Sequence, residues 1–283
     1  MPPVAKKAKI DDKDRTKNTK NTKNTNDKDD SYSKESYWSK RYAVTGNITD
    51  CITDCITGST DNEEMSVMIS ERDHDWYFSG EELQPLLSPL LSSISSSPLH
   101  PNTVLEIGCG MKPILTTLSL PPVKFPSNPF NLLSLDYAQP CIDYLKKSFK
   151  STSDKTYTFI KADAKNVPLE SSSVPLVIEK GTLDAVITSG VDDAVQVLKE
   201  MARVTSRYLM IVTHFNVETE EGSDWVEDVL GEGLSTEGGG VFWKVNCNVG
   251  EQGGAMVVVC QKCVRRKTRN EGGETLQIEV TEY

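Results

Sequence analysis

From residue 75 onward the sequence predicts an α/β fold: a seven-stranded, mostly parallel sheet with helices on both faces and an antiparallel C-terminal edge hairpin. Three observations predict it. Short apolar runs alternate with helix-period segments, the pattern of a parallel sheet wrapped by helices. Successive runs end in a glycine or an acid, as strands do when they feed a ligand crevice at their carboxyl ends. The last two runs, Val241–Asn248 and Ala255–Cys263, are joined by Gly250–Gly254 and read as an edge hairpin.

The elements follow in order. Ser79–Ser92 carries Leu83, Leu86, Leu87, Leu90 and Leu91 at helical spacing, despite Pro85 and Pro89. Thr103–Ile107 reads as a short buried strand that runs into Gly108-Cys109-Gly110. Leu132–Leu135 is a second strand, ending at Asp136. Pro140 suits the first turn of the next helix, whose apolar face holds Ile142, Leu145 and Phe149. Tyr157–Lys161 is a third strand, ending near Asp163, and Leu176–Ile178 a fourth, ending at Glu179-Lys180-Gly181. Asp192 or Asp193 is expected to cap a helix that turns Val195, Leu198, Met201 and Ala202 inward. Tyr208–Thr213 is a fifth strand.

The N-terminal part reads differently. Residues 1–30 are dense in Lys and Asp, hold one Val, one Ile and no aromatic residue, and repeat Thr-Lys-Asn from Thr16 to Asn24. Such a segment cannot bury enough surface to offset its ordering entropy and is expected to be a disordered tail. Residues 31–74 combine an aromatic segment, Tyr37-Trp38-Ser39-Lys40-Arg41-Tyr42, with a low-complexity insertion that repeats Ile-Thr-Asp-Cys between Ile48 and Cys55. Residues 75–283 form the third unit, the α/β domain.

The 283 residues carry a net charge of −10, with 31 Lys+Arg against 41 Asp+Glu. A general nucleic-acid binder would need a basic face instead. No apolar run is long enough to span a membrane, and the basic start, Met1–Ile10, has no apolar core of a secretory signal. Seven cysteines at irregular spacing argue for a reducing compartment rather than a disulfide framework. Cys260 and Cys263 have no second pair near them, so they read as packing residues and no metal is expected. A cytoplasmic location fits best. Pro3–Asp11 resembles a short nuclear-localisation signal, and Asp11, Asp12 and Asp14 disfavour a mitochondrial leader.

The chemistry belongs at the strand ends. Gly108 and Gly110 permit a tight turn and close backbone approach to a ligand. A dinucleotide site would want a third glycine where Pro113 stands. An acid inside the strand, Glu106, followed by G-x-G is instead the pattern of an S-adenosyl-L-methionine (SAM) site. Asp136, which lies 26 residues after Gly110, can accept both ribose hydroxyls in charge-assisted bonds. Asp163 can take the adenine amino group while the amide that follows reaches a ring nitrogen.

The runs Leu105-Glu106-Ile107-Gly108-Cys109-Gly110, Asp136-Tyr137 and Val177-Ile178-Glu179-Lys180-Gly181-Thr182-Leu183-Asp184-Ala185, with Tyr37–Tyr42 and Asp75-Trp76-Tyr77, give the chain a specific likeness. Over about Tyr37–Val212 it resembles class I SAM-dependent methyltransferases of the methyltransferase-like family. That family includes the elongation factor 1A lysine methyltransferases and citrate synthase lysine methyltransferase. The resemblance implies a Rossmann-like fold, SAM as cofactor and a protein substrate of the elongation factor 1A or citrate synthase type; the charge and the apolar runs above leave neither nucleic acid nor membrane as an expected partner. It also implies roles. Gly108 and Gly110, beside Glu106, approach the methionine part. Asp136 holds the ribose, Tyr137 packs near the adenine, and Asp163-Ala164 read its edge. Trp38 and Tyr42 fold over the cofactor with Trp76 beside it, and Glu179 and Lys180 line the site near the sulfonium.

A lysine acceptor must lose a proton before it attacks, and its free pKa is about 10.4. Glu179 or Asp184 is the expected relay, which makes Glu179, Lys180 and Asp184 the catalytic candidates. His74 and His214 are spare candidates, each read as structural or surface. The competing functions are a small-molecule methyltransferase, a SAM-binding scaffold without turnover, and a nicotinamide oxidoreductase that Pro113 disfavours.

Overall fold

A computed structural model describes residues 32–43, 75–96, 101–122, 129–216, 218–235, 241–249, 255–267 and 278–282. The tail, the Ile-Thr-Asp-Cys insertion and His74 lie outside the described residues.

The elements run α1 (Glu35–Tyr42), α2 (Gly80–Ser95), β1 (Asn102–Ile107), α3 (Ile114–Thr117), β2 (Phe130–Asp136), α4 (Gln139–Ser148), β3 (Lys155–Lys161), β4 (Val174–Lys180), α5 (Thr182–Val186), α6 (Val191–Val204), β5 (Thr205–Thr213), α7 (Glu220–Trp225), β6 (Val241–Val249), β7 (Met256–Lys267) and β8 (Ile278–Glu282). The sheet order is β3-β2-β1-β4-β5-β7-β6, with β8 paired to β7. The ladders from β3 to β5 are parallel, and β7 pairs antiparallel to β5, β6 and β8. The expected path of strands and its antiparallel edge hairpin are present. β8 is an addition, set against the far end of β7, where Cys263 meets Glu282 beyond the reach of β5.

Every residue of β1 and the first six of β4 are buried, as parallel strands covered on both faces must be. One face packs Val104, Leu132, Ile178 and Met210 under α2 and α3. The other packs Leu105, Val177, Leu209 and Ile211 under α6 and α7. A third cluster gathers Cys141, Ile142 and Leu145 of α4 with Phe159, and Trp38 and Tyr42 of α1 pack onto it.

Local sequence explains several element ends. Ser79 and Glu82 form a reciprocal capping box at the start of α2. Pro85 and Pro89 sit four residues apart on its exposed side, where water can bond the carbonyls they leave free. Leu83, Leu87, Leu91 and Ile94 fill the opposite side. One expectation fails: α6 is capped by Gly190, at φ 146 and ψ 156, and not by Asp192 or Asp193. Both acids lie in the first turn instead. Asp193 accepts from Ser189 Oγ at 2.6 Å and pairs with Lys165 at 2.6 Å.

The chain leaves β1 toward β2 and β3, then returns beside β1 as β4 and leaves toward β5. This reversal is a topological switch point, where an open α/β sheet binds its ligand. Thr182, just after β4, donates its hydroxyl to the Ile107 carbonyl at 3.0 Å and ties the two diverging strands together.

Candidate active site

A cavity of about 400 Å³ opens at the switch point, within the size range of small-molecule sites. Residues at or just after the ends of β1 to β5 line it.

The loop after β1 forms its floor. Gly108 and Gly110 hold φ of 63° and 55°, a left-handed conformation that favours glycine. A Cβ on Gly108 would stand 2.0 Å from Thr182 Oγ1, so glycine lets the loop pack against Thr182 while it lines the cavity. Glu106 fixes the far side of the turn, because its two oxygens accept the Ile114 and Leu115 amides at 2.9 and 3.2 Å. Burial pushes its carboxyl up to about 7, against the pull of those two amides.

Asp136 lies at the end of β2. Its oxygens accept the Gly110 amide at 3.1 Å and the Ala138 amide at 2.9 Å. Burial raises its carboxyl to about 6, while the Ala138, Gly110 and Tyr137 amides hold it down. Each oxygen keeps a second lone-pair direction for a ligand hydroxyl. Cys109 and Cys141 have sulfurs close to this carboxylate, all within 4.8 Å of one another, and the Cys141 thiol donates to the Gly110 carbonyl at 3.1 Å. Asp163, after β3, bends the chain by accepting the Lys165 amide at 2.9 Å. Asp163, Ala164 and Tyr137 all line the cavity.

The aromatic segment forms the roof. It is the helix α1, docked on α4 through Trp38 and Tyr42. Trp38 stacks on Tyr42 at 5.5 Å and donates its indole N–H to the Tyr32 carbonyl at 2.6 Å. The buried Arg41 guanidinium lies 4.4 Å over the Tyr37 ring. A Cβ on Gly110 would come 3.2 Å from the Tyr42 hydroxyl, so roof and floor meet beside Asp136.

The opposite wall comes from residues 75–77, the start of α5 and the end of β5. Lys180 is paired with Asp75 and its side chain is 8% exposed. Both partners of this ion pair line the cavity. Tyr77 has a φ of 62°, uncommon for a bulky residue and concentrated at functional sites. Burial first, and then nearby Asp184, push its hydroxyl well above the usual tyrosine range. Asp184 accepts from Thr213 Oγ1 at 2.5 Å and from the His214 amide at 3.1 Å, and it faces His214 Nδ1 at 3.2 Å.

Two placements bear on the expected roles. Glu179 does not line the cavity. It is fully buried, and its Oε2 accepts the Thr182 and Leu183 amides at 2.9 and 3.2 Å, which caps α5. Burial first, and then Asp184, push its carboxyl well above the usual range. His214, expected to be structural or surface, lines the cavity. It follows β5 directly, so the strand-end pattern, extended by one strand, points to it. Of the other anticipated residues, Trp38, Tyr42, Trp76, Glu106, Gly108, Gly110, Asp136, Tyr137, Asp163, Ala164, Lys180 and Asp184 all line the same cavity. Thr182, from the run 177–185, also lines it, as do Thr188 and Ser189, which no motif singles out.

Residues 105–208 match a family model described as a methyltransferase domain. The chain is 34% identical over 143 residues to a mitochondrial citrate synthase-lysine N-methyltransferase of Pongo abelii, covering 46% of this chain and 57% of that protein. A protein of the same description from Danio rerio is 26% identical over 145 residues, covering 47% of this chain and 55% of that one. The chain thus spans about half the length of the curated relatives it matches. Among solved structures, a SAM-dependent methyltransferase from Aquifex aeolicus superposes with a TM-score of 0.40 at 15% identity, over 65% of this chain and 99% of that one. The domain match bears out the class I methyltransferase resemblance and, with it, S-adenosyl-L-methionine as the cofactor.

Proposed function

We propose that the chain transfers a methyl group from SAM to a lysine side chain of another protein. The cavity supports this reading because its two halves differ in chemistry. One half offers what the cofactor needs: bare backbone at Gly108 and Gly110, the Asp136 carboxylate and the Asp163-Ala164 edge. The other half, with Trp76, Tyr77, Asp75 and Asp184, is aromatic and acidic, which suits a cationic amine.

The residues fit SAM on the structure's own terms. The carboxylate of Asp136 is buried yet open to two hydroxyls, and the glycine floor is a cradle that a Cβ would fill. When bound, SAM supplies an electrophilic methyl on a sulfonium, so the protein's task is alignment and proton removal. Asp136 holds the ribose, and Asp163 with the Ala164 amide reads the adenine. Trp38 and Tyr42 exclude water from above. Lys180, neutralised by Asp75, keeps the acceptor wall from repelling an ammonium. Asp184 belongs to the proton path, while Glu179 acts at one remove, by holding the start of α5.

The acidic chain suits a basic patch on its target. Citrate synthase, named for the relatives, and elongation factor 1A, from the family resemblance, are the first acceptors to try. No helix among the described residues is long and apolar enough to cross a membrane. The proposed compartment is the cytoplasm, with access to the nucleus. The relatives are named mitochondrial, and imaging of a C-terminally tagged chain decides between the two.

Labelled methyl transfer from SAM into the proteins of a cell extract tests the function, with Asp136→Ala as the blank. One dominant labelled protein, lost in the variant and carrying its label on a methylated lysine by peptide mass mapping, is expected. An extract that stays unlabelled while the chain binds SAM would move the assignment to a small-molecule acceptor or a non-catalytic module.

A further inference from the structure

Three residues from distant parts of the chain converge on the acceptor wall. Tyr77 precedes α2, Asp184 lies in α5, and His214 follows β5. Asp184 is almost enclosed, its side chain 7% exposed, and it faces His214 Nδ1 at 3.2 Å. The His214 amide donates to the same carboxylate oxygen, and Thr213 Oγ1 to the other. The aspartate is therefore held from several sides before it orients the imidazole. The ring lies between Tyr77, stacked at 6.5 Å, and Phe215, at 4.1 Å. Its own side chain is 48% exposed. With Nδ1–H engaged by the carboxylate, Nε2 is the nitrogen left to accept a proton.

The charged and titratable groups that face this imidazole are Asp184 from α5, Tyr77 from the segment before α2 and Glu221 from α7. The two acids favour the protonated ring. The hydrogen bond to Asp184 is the main cause that lifts His214 above its usual value, against some desolvation. The wall around Tyr77 and Trp76 acts the other way on an entering ammonium, which it desolvates and makes more acidic. The two shifts bring donor and acceptor of the proton toward each other, the condition for efficient proton transfer.

We propose that His214, oriented by Asp184, is the base that takes the proton from the acceptor amine. This rests on the lysine-acceptor reading above. In the step, an N–H bond of the acceptor ammonium breaks and a bond from His214 Nε2 to that proton forms. The freed nitrogen lone pair then bonds the methyl carbon as the carbon–sulfur bond breaks, its electron pair going to sulfur. The imidazolium, paired with Asp184, returns its proton to water through the exposed edge of the ring. Tyr77 is a positioning residue, since it packs the imidazole beside Asp184.

The test compares the full chain with His214→Asn and Asp184→Asn. Cell-extract protein serves as acceptor at saturating SAM, from pH 6.5 to 10. At pH 7 the His214→Asn rate is expected to fall about 100-fold, the lower range for loss of a general base. It should recover toward wild type at pH 10, where solvent deprotonates the amine, with the Kd for SAM within threefold of wild type. The second readout needs no turnover. The chain has three histidines, so His214→Asn identifies the His214 ring signal in a proton NMR titration. That signal should titrate above the ordinary histidine value in the wild type and move down in Asp184→Asn. A His214→Asn rate within threefold of wild type at pH 7, a loss equal at every pH, or a titration indifferent to Asp184→Asn overturns the proposal while leaving the lysine-acceptor reading intact. A wild type that binds SAM and labels no protein overturns both.

Discussion

Asp136 is held charged at neutral pH in a place that resists charge, and replacing it with asparagine measures how function and stability divide there. The residue is 4% exposed, and burial has moved its carboxyl from 3.8 to about 6. At about 1.4 kcal/mol per pH unit, ionising it in the folded chain costs on the order of 3 kcal/mol relative to the unfolded chain. The folded pKa is raised, so the favourable contribution of Asp136 is complete below pH 4 and is lost as pH rises through about 6. Glu106, raised to about 7, acts in the same direction. Asp136→Asn removes the charge penalty, but its amide group must face either the Gly110 or the Ala138 N–H. A donor set against a donor costs about 1–3 kcal/mol. The two effects nearly cancel, so the cofactor-free Tm at pH 7.5 should change by less than about 5 °C. Its rise between pH 8 and pH 5.5 should be smaller than that of the wild type. SAM binding has no such compensation. Losing one charge-assisted ribose bond and weakening the other removes about 2–3 kcal/mol, or roughly 30- to 150-fold in Kd. Thermal shift against a SAM titration at both pH values, with calorimetric Kd, reads all of this. A variant that binds SAM within threefold of wild type would refute the ribose role. A cofactor-free Tm lower by more than about 10 °C would refute the charge-penalty reasoning.

Gly108→Ala forces a left-handed residue with a side chain and drives its Cβ into Thr182 Oγ1. With the strain and the loss of the Thr182–Ile107 bond, about 2–4 kcal/mol of stability should go, together with SAM binding, in thermal and calorimetric assays. Gly222→Ala places a Cβ 1.8 Å from the Asn216 carbonyl oxygen. Backbone cannot give way as a side chain can, so urea unfolding should show a loss of about 2–3 kcal/mol. Glu179→Gln keeps an acceptor for the Thr182 and Leu183 amides, so methyl transfer should stay within about threefold of wild type. Glu179→Leu leaves both amides unpaired and should lower stability by about 2–4 kcal/mol in the same assay. A 100-fold loss of transfer in Glu179→Gln would restore Glu179 to the reacting site.

The layered sheet and the residues proposed for the cofactor are legible in local runs of the chain. Strand cores such as Val104–Ile107 and Leu176–Ile178 are apolar because both faces are covered. Their ends are where the chain must turn polar, so Gly108, Asp136 and Asp163 are readable one strand at a time. The cap of α6 was misread because an acid near a helix start is a common signal, whereas Gly190 reaches a conformation that the sequence does not display. The proposed acceptor wall depends on contacts between distant parts of the chain. Glu179 and Asp184 are five residues apart and similar in type, yet one is turned under α5 and the other into the cavity. His214 gains its aspartate from 30 residues upstream, and Tyr77 reaches the same carboxylate from beyond β1. Such pairings depend on which strand ends the sheet order brings side by side. That order follows from the return of β4 beside β1, a choice settled by packing over the whole sheet rather than by any local run of residues.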